Sequence, residues 1–259
     1  MENIILLLMA HPDDAEILCG GTMALLAKAG WKVVVATATP GDCGSSTLGP
    51  EAISAIRRKE AAAAAQIIGG EHRCLERRDL RVHYDDATLI AATGLLRDVR
   101  PRIVISHSPV DYMLDHVEMS RVAQAAAFGA PIPNAPAPGG STPLESIPHL
   151  YYADPVEGKD NFGQPVEPGL LIDIGSVMDT KLQMIAEHAS QRDWLREHHG
   201  VDEYIESAKR WARDRGRLAH AEYAEGFRQH KGHAYPQDDL LALTLREQAV
   251  LHIARRRKQ

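Results

Sequence analysis

The chain has 259 residues and 28.4 kDa, enough for one sizeable core, and its 44% hydrophobic and 25% charged residues are typical of soluble globular proteins. Its formal net charge of −6 argues against a nucleic-acid partner, which usually requires a basic excess. No apolar run approaches the ~20 residues of a membrane-spanning helix, and Ile4–Met9 is too short for a signal-peptide core. With three widely spaced cysteines, which fit a reducing compartment, we expect a cytoplasmic protein without a membrane span.

The first half of the chain alternates between strand and helix patterns. "NIILLLMA" is a continuous apolar run, typical of a buried parallel strand, and "ILCGGTMALLAKAG" has helical spacing and ends at Gly30. A second strand, "KVVVATAT", precedes a turn-rich loop and the alanine-rich helix "EAISAIRRKEAAAAAQIIGG". The helix "DATLIAATGLLRDVR", the strand "RIVISHS" and the helix "EMSRVAQAAAFGA" follow. This order predicts an α/β fold, with a Rossmann-like, doubly wound, mostly parallel sheet flanked by helices.

The second half begins with a segment rich in proline and glycine, residues 129–148. We interpret it as a long loop inside a single domain, 1–259, because "HLYYAD" and "LLIDIG" after it predict further strands of the same sheet. From Ser176 onward the pattern predicts helices. Loops 40–50 and 129–148 are expected to set the choice of substrate.

Polar side chains follow two of the predicted strands. The first strand runs into "AHPDD" and the strand "RIVISHS" runs into "HSPVDYMLDH". Ligands of parallel sheets bind beyond the carboxyl ends of the strands, so both clusters are expected at one edge. A catalytic zinc needs three His or carboxylate ligands and one open position, which His11, Asp14 and His116 would supply. Asp13, between the first two, is the natural general base for a metal-activated water.

Each cluster alone has an ordinary structural explanation. Adjacent aspartates after a strand often serve as turn residues or helix caps, and most of the thirteen histidines need no function. The functional interpretation depends on the two clusters occurring together after two separate strands.

Five segments between residue 3 and about residue 228 resemble the PIG-L/LmbE-like family of zinc-dependent N-deacetylases: "AHPDDAEILCGGT", "RRKEAAAAAQIIGG", "PRIVISHSPVDYMLDH", "AEHASQRDWL" and "HAEYAEGF". The resemblance implies one zinc per chain on His11, Asp14 and His116, with Asp13 as base. It implies a small-molecule substrate, commonly an N-acetylglucosamine-type sugar, and allows a homo-oligomer. Arg57 would lie near the site and bind substrate.

The sequence departs from the family at one position. Many members carry His-x-Asp-His where this chain has "MLDH", so Met113 stands in place of a histidine that stabilises the oxyanion or protonates the amine. A thioether donates no hydrogen bond. The substitutes are His107, Tyr112 and His188, of which His188 matches a recurring family position and is the first choice as catalytic residue. Alternatively zinc and Asp13 act alone, or the activity is lost or changed.

The favoured function is a zinc-dependent N-deacetylase. A hydrolase of a different acyl compound, or a metal-containing binding module, remains an alternative because of Met113. A dinucleotide-binding domain is disfavoured, since "CGGT" is not GxGxxG and the carboxylates after the first strand would repel a pyrophosphate. The two histidines and one aspartate would also accept iron, cobalt or nickel.

Overall fold

The computed structural model describes residues 2–192 and 203–251, which form one eight-stranded sheet flanked by helices. The strands are β1 (Ile4–Met9), β2 (Lys32–Thr37), β3 (Glu71–Cys74), β4 (Ile103–Ser106), β5 (His149–Ala153), β6 (Leu170–Asp173), β7 (Ala224–Gln229) and β8 (Ala249–Leu251). The helices are α1 (Asp14–Lys28), α2 (Pro50–Gln66), α3 (Asp86–Val99), α4 (Leu114–Gly129), α5 (Met178–Ala186), α6 (Glu203–Ala219) and α7 (Leu240–Leu245).

The sheet has the strand order β3-β2-β1-β4-β5-β7-β6-β8. The first five strands in that order are parallel, and the last three pair antiparallel. The chain leaves β1 in one direction toward β2 and β3, and takes β4 and β5 on the other side. The predicted α/β fold with a mostly parallel, helix-flanked sheet is confirmed, and β1 and β4 lie side by side at the point where the order reverses.

The apolar run of β1 is continuous because both faces of the strand are covered. Ile5, Leu7 and Met9 belong to one hydrophobic core, together with residues of α1 and α5. Ile4, Leu6 and Leu8 belong to a second core on the other face, with residues of α3 and α4. A strand buried on both faces needs no polar alternation, which explains the sequence pattern.

The glycines of "CGGT" serve helix packing. A Cβ on Gly21 would lie 2.6 Å from the Cβ of Ile174, and one on Gly20 would lie 3.0 Å from Cγ of Lys181 on α5. The helix α1 therefore approaches its neighbours closely on this face. Cys19 is fully buried on α1.

The prediction of helices alone after Ser176 is wrong. α5 and α6 are helical as predicted, but β7 and β8 add two strands to the sheet. The strand β7 contains Glu225 and Arg228, whose charges hid its strand character in the sequence. Residues 193–202 and 252–259, for which helix or an uncertain structure was predicted, lie outside the described residues. Within the described part of the chain, no helix is long and apolar enough to cross a bilayer.

The loop 129–148 lies at the amino-terminal edge of the parallel strands, because it joins the end of α4 to the start of β5. Arg97 near the end of α3 holds it, donating to the carbonyls of Ala130 (3.1 Å) and Ile132 (2.6 Å) and to Ser141 Oγ (3.1 Å). The carboxyl edge is on the opposite side of the sheet. Within one chain this placement does not support the expected role of 129–148 in choosing the substrate.

Candidate metal and catalytic site

Two neighbouring strands bring the predicted ligands to one place. β1 and β4 pair in parallel, with Leu8 opposite Ser106 at their carboxyl ends. Past β1 the chain turns through His11 into α1, and past β4 a short loop leads into α4. His11 and Asp14 from the first segment and His116 from the second are buried together at this edge.

The three ligand groups converge without bonding tightly to one another. Nδ1 of His11 lies 3.3 Å from Oδ2 of Asp14, and Nε2 of His116 lies 3.4 Å from Oδ1 of the same carboxylate. Charge-assisted hydrogen bonds are shorter, at about 2.7–2.9 Å. One ligand atom from each residue falls within a 4.8 Å span, the size of a metal coordination sphere. Two imidazoles and one carboxylate are the donor set of a catalytic zinc with an open position, so these residues fit such an ion.

The protonation of the three groups follows from their mutual charges. Burial alone would lower the pKa of His11, but Asp115 and Asp14 outweigh it and raise that pKa to about 10. Burial opposes the same change at His116, where Asp14 and Asp111 raise the pKa to about 9. Burial would raise the pKa of Asp14, yet the neighbouring histidines hold it well below its usual range. The metal-free site therefore holds protons where a cation would bind.

Two further carboxylates orient the imidazoles. Oδ2 of Asp115 lies 3.1 Å from Nε2 of His11 and accepts the backbone N–H of Leu80 at 2.7 Å. Oδ1 of Asp111 lies 3.1 Å from Nδ1 of His116. Metal-bound histidines usually direct their second nitrogen at such a group, which fixes the ring and its tautomer. Asp115 thus lies behind the predicted ligand His11.

Asp13 is held in a strained backbone conformation beside the ligands. Its φ of 102° lies in the left-handed region, which costs a non-glycine residue about 1–3 kcal/mol and is typical of functional positions. Oδ2 accepts a hydrogen bond from the Tyr204 hydroxyl at 2.6 Å and one from Arg57 Nη2 at 3.3 Å. Burial raises the pKa of Asp13, although Arg57 opposes the change. Both of these hydrogen bonds are made to the same oxygen of the carboxylate.

Arg57 lies behind the turn and not at the mouth of the site. It is 4% exposed, and Nη2 also donates to the carbonyl of Pro12 at 2.6 Å. A Cβ on Gly41 or Gly44 would fall within 2.6 Å of its guanidinium, so the loop 40–50 closes over it. This placement favours a role in holding Asp13 over the substrate contact that the resemblance implies.

His188, the first choice to replace the missing histidine, is fully buried. Its Nε2 lies 3.4 Å from Oε2 of Glu16, itself buried on α1. Burial would lower the pKa of His188, but Glu16 and then Asp13 raise it. The side chain is near the base without reaching the surface, so this placement does not favour direct contact with a substrate.

His107 and Tyr112 both contact the ring of His116. His107 is fully buried, its ring stacked on that of His116 at 3.9 Å, and its Nε2 accepts the backbone N–H of Ala10 at 2.9 Å. Tyr112 is 66% exposed and meets the same ring edge-on at 5.7 Å. Burial and the charge of Asp14 raise the pKa of Tyr112 to about 12, so its hydroxyl keeps its proton. Met113 is the N-cap residue of α4.

Sequence reasoning missed Tyr204 and the contact between Asp111 and His116. Tyr204 lies 191 positions from Asp13 and belongs to no motif that indicates chemistry, so no local signal marks it. Asp111 stands within "VDYMLDH", five positions before the ligand it faces, and could have been chosen for that proximity.

Comparison with known proteins shows which family the chain belongs to. A model of the PIG-L family, described as GlcNAc-PI de-N-acetylase, matches residues 6–127. The 4-oxalmesaconate hydratase of Pseudomonas putida is 30% identical over 197 residues, which cover 72% of this chain and 73% of that protein. The chain belongs to the PIG-L family.

Other PIG-L proteins similar to this chain are deacetylases. The 1D-myo-inositol 2-acetamido-2-deoxy-alpha-D-glucopyranoside deacetylase of Kineococcus radiotolerans is 33% identical over 140 residues, but the match spans only 40% of this chain and 38% of that protein. The solved structure of N,N'-diacetylchitobiose deacetylase from Pyrococcus horikoshii has a TM-score of 0.76 at 26% identity, and covers 92% of this chain and 88% of that one. The PIG-L relatives thus include both deacetylases and a hydratase.

Proposed function

We propose that this chain is a zinc-dependent hydrolase that removes an acetyl group from an N-acetylated amine, with an N-acetylglucosamine-type sugar or its glycoside as substrate. The observation that carries the proposal is the convergence of His11, Asp14 and His116 within 4.8 Å, beside the carboxylate of Asp13. The deacetylases among the PIG-L relatives, whose names specify N-acetylated sugars, support the substrate class.

One metal per chain would be held by these three residues. Zinc, when bound, acts as a Lewis acid and lowers the pKa of water, which supplies a nucleophile at neutral pH. Asp115 and Asp111 keep the two imidazoles turned toward the ion through their other nitrogens. Tyr204 and Arg57 hold Oδ2 of Asp13, and Oδ1 would accept the proton of the reacting water.

Asp13 then moves one proton through the reaction. As the water oxygen attacks the carbonyl carbon, a C–O bond forms, the C=O π pair moves onto the carbonyl oxygen, and Oδ1 of Asp13 takes the water proton. The oxygen pair returns as the C–N bond breaks, and Asp13 gives the same proton to the leaving nitrogen. The products are the free amine and acetic acid, which ionises to acetate by giving its proton to solvent.

The test is release of free amine from a panel of N-acetylated sugars by zinc-reconstituted protein, with a chelated sample as control. Asp13→Asn is expected to lower kcat at least a hundredfold, because general-base catalysis contributes about 10²–10⁴, while bound zinc stays near one per chain. The exposed Asp179→Asn serves as the matched control and should retain full activity. Normal turnover by Asp13→Asn would refute the base assignment.

A hydratase is the second candidate. The Pseudomonas putida hydratase is 30% identical over 72% of this chain, and Met113 offers no hydrogen-bond donor for amide hydrolysis. In that reaction Asp13 would take one proton of a water whose oxygen bonds to one carbon of a C=C bond, and would give that proton to the other carbon. Loss of ultraviolet absorbance by a conjugated unsaturated dicarboxylate, without amine release from any sugar, would favour it. A hydrolase of a different acyl compound, or a protein that binds without turnover, would show neither the loss of absorbance nor the release of amine from acetyl sugars.

A further inference from the structure

Hydrolysis of an amide places negative charge on the carbonyl oxygen, and the site must provide a donor for it besides the metal. Preorganised hydrogen-bond donors aimed at such an oxygen are among the largest contributions to catalysis. Met113 provides none, since a thioether carries no proton. The question is which side chain at this edge of the sheet has a free donor that points to solvent.

Most donors near the ligands are already engaged. The hydroxyl of Tyr204 bonds to Asp13 at 2.6 Å, and the Nη2 group of Arg57 bonds to Pro12 and Asp13. His11 faces carboxylates through both ring nitrogens, at 3.3 Å and 3.1 Å. None of these groups is free to follow a substrate oxygen.

The other two candidate histidines among the described residues are both fully buried. His107 is fully buried behind His116, and one of its nitrogens is occupied by the backbone of Ala10. His188 is fully buried against Glu16. A substrate that reaches the metal from solvent meets neither ring.

Tyr112 satisfies the requirements that the others fail. It precedes Met113 directly, lies edge-on against the ligand His116 at 5.7 Å, and is 66% exposed. No described residue hydrogen-bonds to its hydroxyl. The backbone next to Tyr112 is held by the carboxylate of Asp111, which accepts the N–H of Met113 at 3.3 Å and that of Val156 at 3.4 Å.

We propose that Tyr112 is a catalytic residue, whose hydroxyl donates a hydrogen bond to the carbonyl oxygen of the scissile acyl group as that oxygen becomes negative. The phenol replaces the donor that Met113 lacks, from the adjacent position in the chain. The inference rests on the proposed amide hydrolysis.

The experiment compares Tyr112→Phe with wild type, both reconstituted with zinc. Two quantities are measured: kcat and KM for amine release, and the Kd of a phosphonamidate analogue of the N-acetyl sugar, in which tetrahedral phosphorus replaces the carbonyl carbon. We expect kcat and analogue affinity to fall in parallel, by about a hundredfold, with KM and zinc content nearly unchanged. Tyr84→Phe, an exposed tyrosine that lines a groove along α4 and not the metal site, is the control and should change neither quantity.

A second variant separates a donor role from a structural one. Met113→His should raise kcat more in the Tyr112→Phe background than in wild type, because only the former lacks a donor. Equal effects in both backgrounds, or unchanged kcat and analogue Kd in Tyr112→Phe, would overturn the role of Tyr112 and leave the deacetylase proposal intact. A wild type that neither releases amine nor binds the analogue would refute both.

Discussion

Two buried clusters of charge in this protein are built differently. In the first, Lys181 on α5 and Glu225 on β7 are almost wholly buried, and Nζ of the lysine donates to Oε1 of the glutamate at 2.6 Å and to the carbonyl of Ile17 at 2.7 Å. The carboxylate also accepts the backbone N–H groups of Gly21 and Thr22, each at 2.8 Å. The opposite charges and the hydrogen bonds are supplied within the fold.

The second cluster is incomplete in one respect, since no lysine or arginine of the described residues forms an ion pair with it. His11 and His116 approach Asp14 at 3.3 Å and 3.4 Å, and Asp14 also accepts the backbone N–H of His11 at 2.7 Å and lies 3.1 Å from Nε2 of His107. Buried charges are tolerated when they are paired or coordinate a metal. We therefore expect the first cluster to stabilise the fold and the second to bind a metal ion, although both clusters are buried.

The largest effect is expected when the ion pair of the first cluster is broken. Glu225→Gln leaves the ammonium of Lys181 buried without its counter-charge, so the free energy of unfolding should fall by about 3–5 kcal/mol, measured by chemical denaturation. Bound zinc should stay at one per chain in the folded variant. Glu206→Gln removes the partner of Lys209 in an exposed pair and should cost less than ~1 kcal/mol. Equal costs for the two variants would contradict the comparison.

A pH titration tests the protonation of the two histidines in the second cluster. The pKa values of His11 and His116, about 10 and about 9 in the metal-free fold, lie above the unfolded value of 6.5. Their contribution to stability is therefore fully present below pH 6.5 and is lost as pH rises toward 9 and 10. Zinc needs the unprotonated nitrogens, so its affinity should change in the opposite sense, rising about a hundredfold per pH unit near neutrality.

Calorimetry in buffers of different ionisation enthalpy measures the protons released when zinc binds. We expect about two per zinc at pH 7, one from each histidine. Release of no protons would show that the imidazoles are already neutral in the metal-free protein, and that the two clusters differ less than the structure indicates.

The smallest expected effect tests the carboxylate behind the first ligand. Asp115→Asn keeps an oxygen near Nε2 of His11 but removes its charge, and should weaken zinc binding about 10–100-fold in a chelator competition. Glu118→Gln, one turn further along α4, is the control, because its carboxylate contacts Tyr84 and Arg121 and no ligand. Unchanged affinity in Asp115→Asn would mean that His11 is oriented by its backbone alone.

Much of the fold was readable because its signals are local. The apolar run of β1, the helical spacing of α1 and the closing Gly30, whose φ is 80°, all lie within a few residues of one another. β7 was missed for the opposite reason: the charge of its buried Glu225 is neutralised by Lys181, 44 positions earlier. A charged strand of this kind cannot be distinguished from a surface segment before its partner is known.

The same division applies to the site. His11, Asp14 and His116 follow strand ends, where parallel sheets bind ligands, so their proximity in the structure agrees with the sequence prediction. The surroundings of Asp13 depend on a tyrosine that arrives from α6, and the order of His107 and Tyr112 around His116 depends on packing. Exposure, which separates Tyr112 from the two buried histidines, has no counterpart in the sequence.

The backbone of Asp13 places stability and chemistry in opposition at one residue. Glycine adopts a φ of 102° without the penalty that a side chain incurs there, so Asp13→Gly would relieve the turn at the moment it removes the proposed base. The same change leaves the Tyr204 hydroxyl and Arg57 Nη2 without their acceptor on Asp13, so the relieved strain is offset by two lost hydrogen bonds. An aspartate at this position therefore carries a backbone cost that the contacts of its carboxylate must offset.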